Sequence, residues 1–194
     1  MTGQLSAARA AWPSNPAKDA LRRRIQARRQ AGPLPDGDRT ARALQLCAGR
    51  QVVAVYASLP AEPDSWALIE ALAAAGTRIL LPVLGREPDW AWFEGPERLE
   101  PARRGIQQPR GERLGAAALA QAEWIWIPGL AATRGGERLG TGGGWYDRAL
   151  RHSAATAPVG VLLFDGELLD QVPTDPWDRR VDWVLTASDT LGVE

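Results

Sequence analysis

The chain has 194 residues and no net charge, its 23 basic side chains matching 23 acidic ones, a length that favours one domain able to bury a core without cross-links. The single Cys47 excludes an internal disulfide framework and a cysteine-based zinc site, and the single His152 excludes multi-histidine metal centres. No stretch approaches the ~18 uncharged apolar residues of a membrane span, and no apolar secretion segment opens the chain, so a cytoplasmic protein away from membranes is expected.

Ser14, Asn15 and Pro16 offer a cap followed by proline in the first helical turn. A helix is expected from there to about residue 30, ending near Gly32 and Pro33. Its apolar stripe is thin and the rest of its surface is basic. Residues 1–15 ahead of it read as a flexible extension. A second helix is expected over 39–48. Residues 51–57 form a continuous apolar run, the pattern of a strand buried on both faces in a parallel sheet. An Ala- and Leu-rich helix over 65–75 is closed by Gly76, and 78–83 is another buried strand. Residues 90–93 suggest a shorter strand, 95–113 a loop rich in Gly, Pro and Arg, and 114–121 a short helix.

Residues 123–128 alternate Trp124 and Trp126 with Ile125 and Ile127, a strand whose tryptophans read as core. It feeds the glycine-rich segment 129–144, after which a helix is expected to residue 152. Strands are expected over 158–164 and 181–186. This alternation predicts an α/β protein: a single three-layer domain with a mostly parallel central sheet and helices on both faces. Ligands in such sheets bind beyond the carboxyl ends of strands, which directs attention to the loops after Tyr56, Val83 and Ile127.

The segment from Arg134 to Arg148 follows a buried strand and opens a helix, the context of a phosphate-binding loop. Glycines let backbone N–H groups turn toward an anion, and the helix start adds its dipole. Arg138 supplies a planar fork of donors for phosphate oxygens. No Lys-Ser/Thr pair follows the glycines, so the loop is not a Walker A motif, and no acidic residue completes a dinucleotide fingerprint. A merely flexible loop is the bland alternative.

Arg138-Leu139-Gly140, with Gly142, Gly144, Trp145, Tyr146 and Asp147, resembles the R-L-G-x-G-x-G-Y-Y-D signature of the 5-formyltetrahydrofolate cyclo-ligase family. Lys18, Leu21 and Arg22 resemble its K-x-x-L-R motif. Residues 58–64 resemble its folate-side loop, residues 105–109 its G-I-x-[EQ]-P segment, and Asp178 with Asp182 its C-terminal acidic element. The likeness runs in order over about residues 18–186. It departs at Ala131-Ala132-Thr133, where the family has A-F-D, and at Trp145, where it has Tyr.

The resemblance implies ATP-dependent, Mg²⁺-dependent cyclisation of 5-formyltetrahydrofolate to 5,10-methenyltetrahydrofolate through an iminophosphate. Phosphoryl transfer needs positioning and charge neutralisation more than a nucleophilic side chain, which suits a chain with one His and one Cys. By motif position, Lys18, Arg22 and Arg138 would be catalytic. They would hold ATP together with Leu139, Gly140, Thr141, Gly142, Gly143, Gly144, Trp145 and Tyr146. Ala57, Glu62, Trp145 and Tyr146 would bind the folate, and Asp147 and Asp178 the Mg²⁺.

Each role has a plainer counterpart. Lys18 and Arg22 can be a solvated helix face; with Lys18 taken as a surface residue of the ATP site, Lys18→Ala is expected to weaken ATP use while leaving stability nearly unchanged. Asp147 can serve its helix start, and Asp178 can pair with Arg179 or Arg180. Cys47 reads as a small buried apolar residue. Thr133 and Trp145 motivate an alternative: a catalytically weak or inactive relative that binds nucleotide or folate in the same pocket. Residues 1–50 hold ten basic side chains against three acidic, and residues 160–194 two against eight. These ends can bind nucleic acid and metal, or pair with each other. Basic residues are not interleaved with exposed aromatics, so no nucleic acid is expected; no membrane partner is expected either, the resemblance implies small-molecule substrates, and a monomer is expected. Lys18 is the only lysine among 23 basic residues, a hint that its position needs an ammonium.

Overall fold

The computed structural model describes residues 15–32 and 34–193. The expected extension over 1–15 therefore lies, apart from Asn15, outside the described residues. Helix α1 spans Pro16–Gln30, with Asn15 as its cap accepting from the Lys18 N–H at 3.2 Å. Helix α2 (Arg39–Leu46) precedes strand β1 (Val52–Ala54), helix α3 (Trp66–Ala74), strand β2 (Arg78–Leu84) and strand β3 (Pro88–Trp92). Strands β4 (Leu99–Pro101) and β5 (Gln107–Pro109) form an antiparallel hairpin. Strand β6 (Trp124–Pro128) leads to a ribbon of β7 (Ala131–Ala132) and β8 (Arg138–Leu139), then to helix α4 (Trp145–Ala149). Strands β9 (Val159–Leu162), β10 (Trp183–Leu185) and β11 (Thr190–Gly192) complete the chain.

The central sheet has the order β11-β10-β9-β6-β1-β2-β3. Its five inner strands run parallel, and β3 and β11 cap the edges antiparallel. Period-two alternation sorts the inner strands between two cores. Val53, Val55, Ile79, Leu81, Trp124 and Trp126 face α2 and α3, where they meet Ala43, Cys47, Leu68 and Leu72. Ala54, Leu80, Ile125, Ile127 and Val161 face the other way, against Leu119, Ala149 and Leu150. The expected three-layer α/β architecture is what forms. Gly160 on β9 admits Trp126: a Cβ there would lie 2.3 Å from the indole.

Several local expectations change. The loop over 95–113 contains the β4–β5 hairpin, whose strands are too short and polar to show periodicity. The helix expected over 114–121 is a 3-10 helix, Ala116–Gln121. The helix expected to residue 152 is α4 followed by a 3-10 turn, Leu150–His152. Helix α1 packs on neither face of the sheet. Its Ile25 joins Leu130, Ala131, Leu139 and Val172 in a separate cluster over the end of β6. Among the described residues no helix is long and apolar enough to cross a membrane.

Candidate active site

A cleft of about 1050 Å³ opens at the carboxyl ends of the inner strands. Tyr56 and Ala57 enter it just beyond β1, Leu84 and Gly85 at the end of β2, and Pro128 at the end of β6. These are the three strand ends singled out by the topology. Helix α1 and the glycine loop before α4 supply its other walls.

Arg138, at the start of β8, is buried and fixed at two points. Its Nη1 donates to the Pro128 carbonyl at 3.1 Å and its Nη2 to Asp147 Oδ1 at 3.1 Å. Across the loop, Arg22 Nε donates to the Gly140 carbonyl at 3.0 Å while its Nη1 meets Asp19 at 2.6 Å. Arg148 Nη1 donates to the Gly143 carbonyl at 3.2 Å. Arginines thus hold two loop carbonyls, and among the described residues no hydrogen bond engages the N–H groups of Thr141, Gly142 or Gly143. A Cβ at Gly140 would lie 2.8 Å from Arg138 Nη1, so a side chain there would displace that guanidinium. Gly142 has φ +105°, a region that L side chains rarely adopt. At five residues α4 is too short to carry much of a dipole.

Lys18 corrects the reading of a solvated helix face. It is only 4% exposed. Its Nζ donates to Asp175 Oδ2 at 2.6 Å and also to Asp178 Oδ2. Asn15 Nδ2 holds Asp175 Oδ1 at 2.9 Å, and the Asp175 N–H donates to Asp178 at 2.7 Å. The Lys18 hydrogen bond, then that of Asn15, keeps the Asp175 carboxyl below the usual range. The plainer expectation for Asp178 also changes, because its charged partner is Lys18, while Arg180 pairs with Glu137 at 2.6 Å. The basic front of the chain and its acidic tail do pair with each other. Arg29 on α1 likewise meets Glu167 at 2.7 Å.

The other end of the cleft is less charged. Glu62 accepts from the Leu59 N–H at 3.0 Å, and burial pushes its carboxyl above the usual value. Burial also pushes the Tyr146 phenol up, with Glu62 adding to the effect and Arg138 opposing it. Tyr146 therefore stands in the fields of both ends. Trp145 packs edge-on against Tyr146 at 4.8 Å and Trp90 at 5.5 Å, so the larger ring is absorbed by the core.

Of the expected residues, Lys18, Arg22, Ala57, Glu62, Arg138, Gly140–Gly144 with Thr141, Trp145, Tyr146, Asp147 and Asp178 all line this one cleft. Leu139 does not: its side chain is buried with Ile25 and Leu130. Asn15, Asp175, Arg148 and Arg103 line it too and were not singled out. Arg148 sits one residue past the motif, and Asp175 lies three before Asp178 in the acidic tail. Only long-range contact reveals their place.

Among the described residues no set of three or more His, Cys, Asp or Glu is arranged to hold a metal ion by itself. Asp147 and Asp178 nevertheless suit a cation such as Mg²⁺. Each engages cationic partners through one carboxylate oxygen, Oδ1 of Asp147 and Oδ2 of Asp178. The second oxygen of each is a hard donor, and Mg²⁺ commonly takes one or two carboxylates with substrate phosphates.

Residues 14–187 match the model of the 5-formyltetrahydrofolate cyclo-ligase family. Over 145 residues the chain is 40% identical to the 5-formyltetrahydrofolate cyclo-ligase of Mycolicibacterium smegmatis, covering 71% of this chain and 74% of that one. It is 34% identical to the Escherichia coli protein of the same name over 144 residues, 70% of this chain and 78% of that one. The fold resembles the solved 5,10-methenyltetrahydrofolate synthetase of Aquifex aeolicus, with a TM-score of 0.77 over 91% of this chain and 93% of that one at 24% identity.

Proposed function

The chain belongs to the 5-formyltetrahydrofolate cyclo-ligase family, and on that footing we propose that it uses ATP and Mg²⁺ to cyclise 5-formyltetrahydrofolate to 5,10-methenyltetrahydrofolate. One observation carries the reading. A single cleft joins an arginine-and-glycine cradle around Arg138 to a half-buried acid, Glu62, with Tyr146 in the fields of both. The cradle suits a triphosphate and the acid suits the N–H groups along a pterin edge.

The formyl oxygen attacks the γ-phosphorus and ADP leaves. N10 then attacks the activated carbon, a proton leaves N10, and phosphate departs carrying the formyl oxygen. Arg138 and Arg22, with the loop amides from Thr141 to Gly143, orient the phosphates and meet the charge that builds on them. Lys18 supplies a point charge at the α1 edge. Asp147 and Asp178 would hold Mg²⁺, which lowers the charge of the phosphates when bound. Glu62 fixes the pterin, Ala57 lines the same pocket, and Tyr146 covers the junction and excludes water. This reading takes the chain as one domain, acting as a monomer in the cytoplasm on small molecules.

Incubation with MgATP and 5-formyltetrahydrofolate tests it. Near-ultraviolet absorbance of the methenyl product should grow with equimolar ADP. Absence of both would overturn the proposal.

A further inference from the structure

Five cations line the cleft, and four are engaged by an acidic side chain or a loop carbonyl. Lys18 pairs with Asp175 and Asp178, Arg22 with Asp19, Arg138 with Asp147, and Arg148 with the Gly143 carbonyl. Arg103 is different. It lies in the 3-10 turn at the tip of the β4–β5 hairpin and is exposed. Among the described residues no acidic side chain pairs with it, although Arg98 and Arg113 nearby are paired with Glu94 and Glu100.

The hairpin is anchored where it meets the site. The buried Gln108 side chain accepts from the Leu84 N–H at 3.2 Å and donates to Glu100 at 3.1 Å. That ties β5 to the end of β2 and sets the tip over the wall of the cleft formed by Pro82, Leu84 and Ile106. Glu62, this apolar wall and the unpaired guanidinium of Arg103 line one and the same cleft.

We infer that Arg103 binds the glutamyl carboxylates of the folate, with Pro82, Leu84 and Ile106 flanking its aminobenzoyl ring. This rests on the proposed folate site. The substrate carries a group for each of these walls: a pterin with N–H donors, an aromatic ring and carboxylates. A guanidinium suits the carboxylates as a planar two-donor fork. Arg103 is therefore a specificity residue for the tail and has no part in the ring closure itself.

Binding of 5-formyltetrahydrofolate and of the tail-free 5-formyltetrahydropteroate is compared by calorimetry for the wild-type chain, Arg103→Ala and Arg103→Glu. An exposed ion pair predicts a wild-type preference for the full substrate of about three- to five-fold. The preference should vanish in Arg103→Ala and invert in Arg103→Glu, and raised salt should erode it in the wild type. An unchanged preference in both variants would overturn the assignment while leaving the folate site standing. Failure of the wild type to bind either compound would overturn the folate site and this assignment together.

Discussion

Arg29 on α1 and Glu167 beyond β9 form an ion pair almost wholly withdrawn from water, their side chains 3% and 0% exposed. Nη2 meets Oε2 at 2.7 Å and Nε meets Oε1 at 2.8 Å, a two-point contact. Further hydrogen bonds support the pair. Arg29 donates to the Gly129 carbonyl at 2.7 Å, and Glu167 accepts from the Phe164 N–H at 2.9 Å. The pair fastens the helix carrying Lys18 and Arg22 to the ends of β6 and β9.

Glu167→Ala would leave Arg29 buried without its counter-ion. Removing one partner of such a pair costs about 3–5 kcal/mol. Urea denaturation should show that loss, and ATP binding should weaken in whatever fraction stays folded, because α1 loses its seat. A loss below ~1 kcal/mol would mean the contact is a surface pair in effect.

Lys18→Ala should weaken ATP binding and also lower stability, contrary to what a surface lysine would do. It strands Asp175 and Asp178 as acceptors, at a cost of about 1–3 kcal/mol. Lys18→Arg should restore part of the stability but not ATP affinity, since a planar fork does not replace a compact ammonium. Asp175 also sets the acid behaviour. Its folded carboxyl titrates below the ordinary 3.8, so its contribution is present above that pH and lost as pH falls through the lower folded value. Lys18→Ala should shrink this acid-side loss in denaturation curves taken as pH falls below the ordinary 3.8.

How far these contacts can be read from sequence differs by element. The alternation of Trp124 to Ile127 announces a strand and assigns its two faces, because period two is a local signal. The glycine motif announces the loop, because its residue types answer a local backbone demand. The Lys18 cluster is silent. Its partners lie 157 and 160 residues away, and nothing near Lys18 distinguishes a buried ammonium from an exposed one. Strand β11 and the β4–β5 hairpin, three residues per strand, are also silent, since such runs are too short for a period.

Glu62 makes a prediction in pH. Burial raises its carboxyl above the ordinary 4.5, and the ionised form, with both oxygens accepting and a full charge, holds the pterin N–H groups more strongly than the protonated form. Affinity for 5-formyltetrahydrofolate should therefore fall on the acid side, with a midpoint above 4.5. Glu62→Gln should weaken binding by about ten-fold or more and abolish that limb. An identical acid limb in Glu62→Gln would assign it elsewhere.

Cys47 should be inert in the native protein. Burial pushes its thiol up to about 12, despite the Trp126 indole donating to its sulfur at 3.0 Å. A disulfide reagent at pH 8 should label it only as fast as the protein opens, and denaturant should release full reactivity. Rapid labelling of folded protein would contradict its place between α2 and the sheet.

The most direct test follows the formyl oxygen. With 5-formyltetrahydrofolate carrying ¹⁸O in the formyl group, and MgATP, the account predicts one ¹⁸O in each inorganic phosphate released alongside the methenyl product. Methenyl product accompanied by unlabelled phosphate would contradict activation at the γ-phosphate in this cleft.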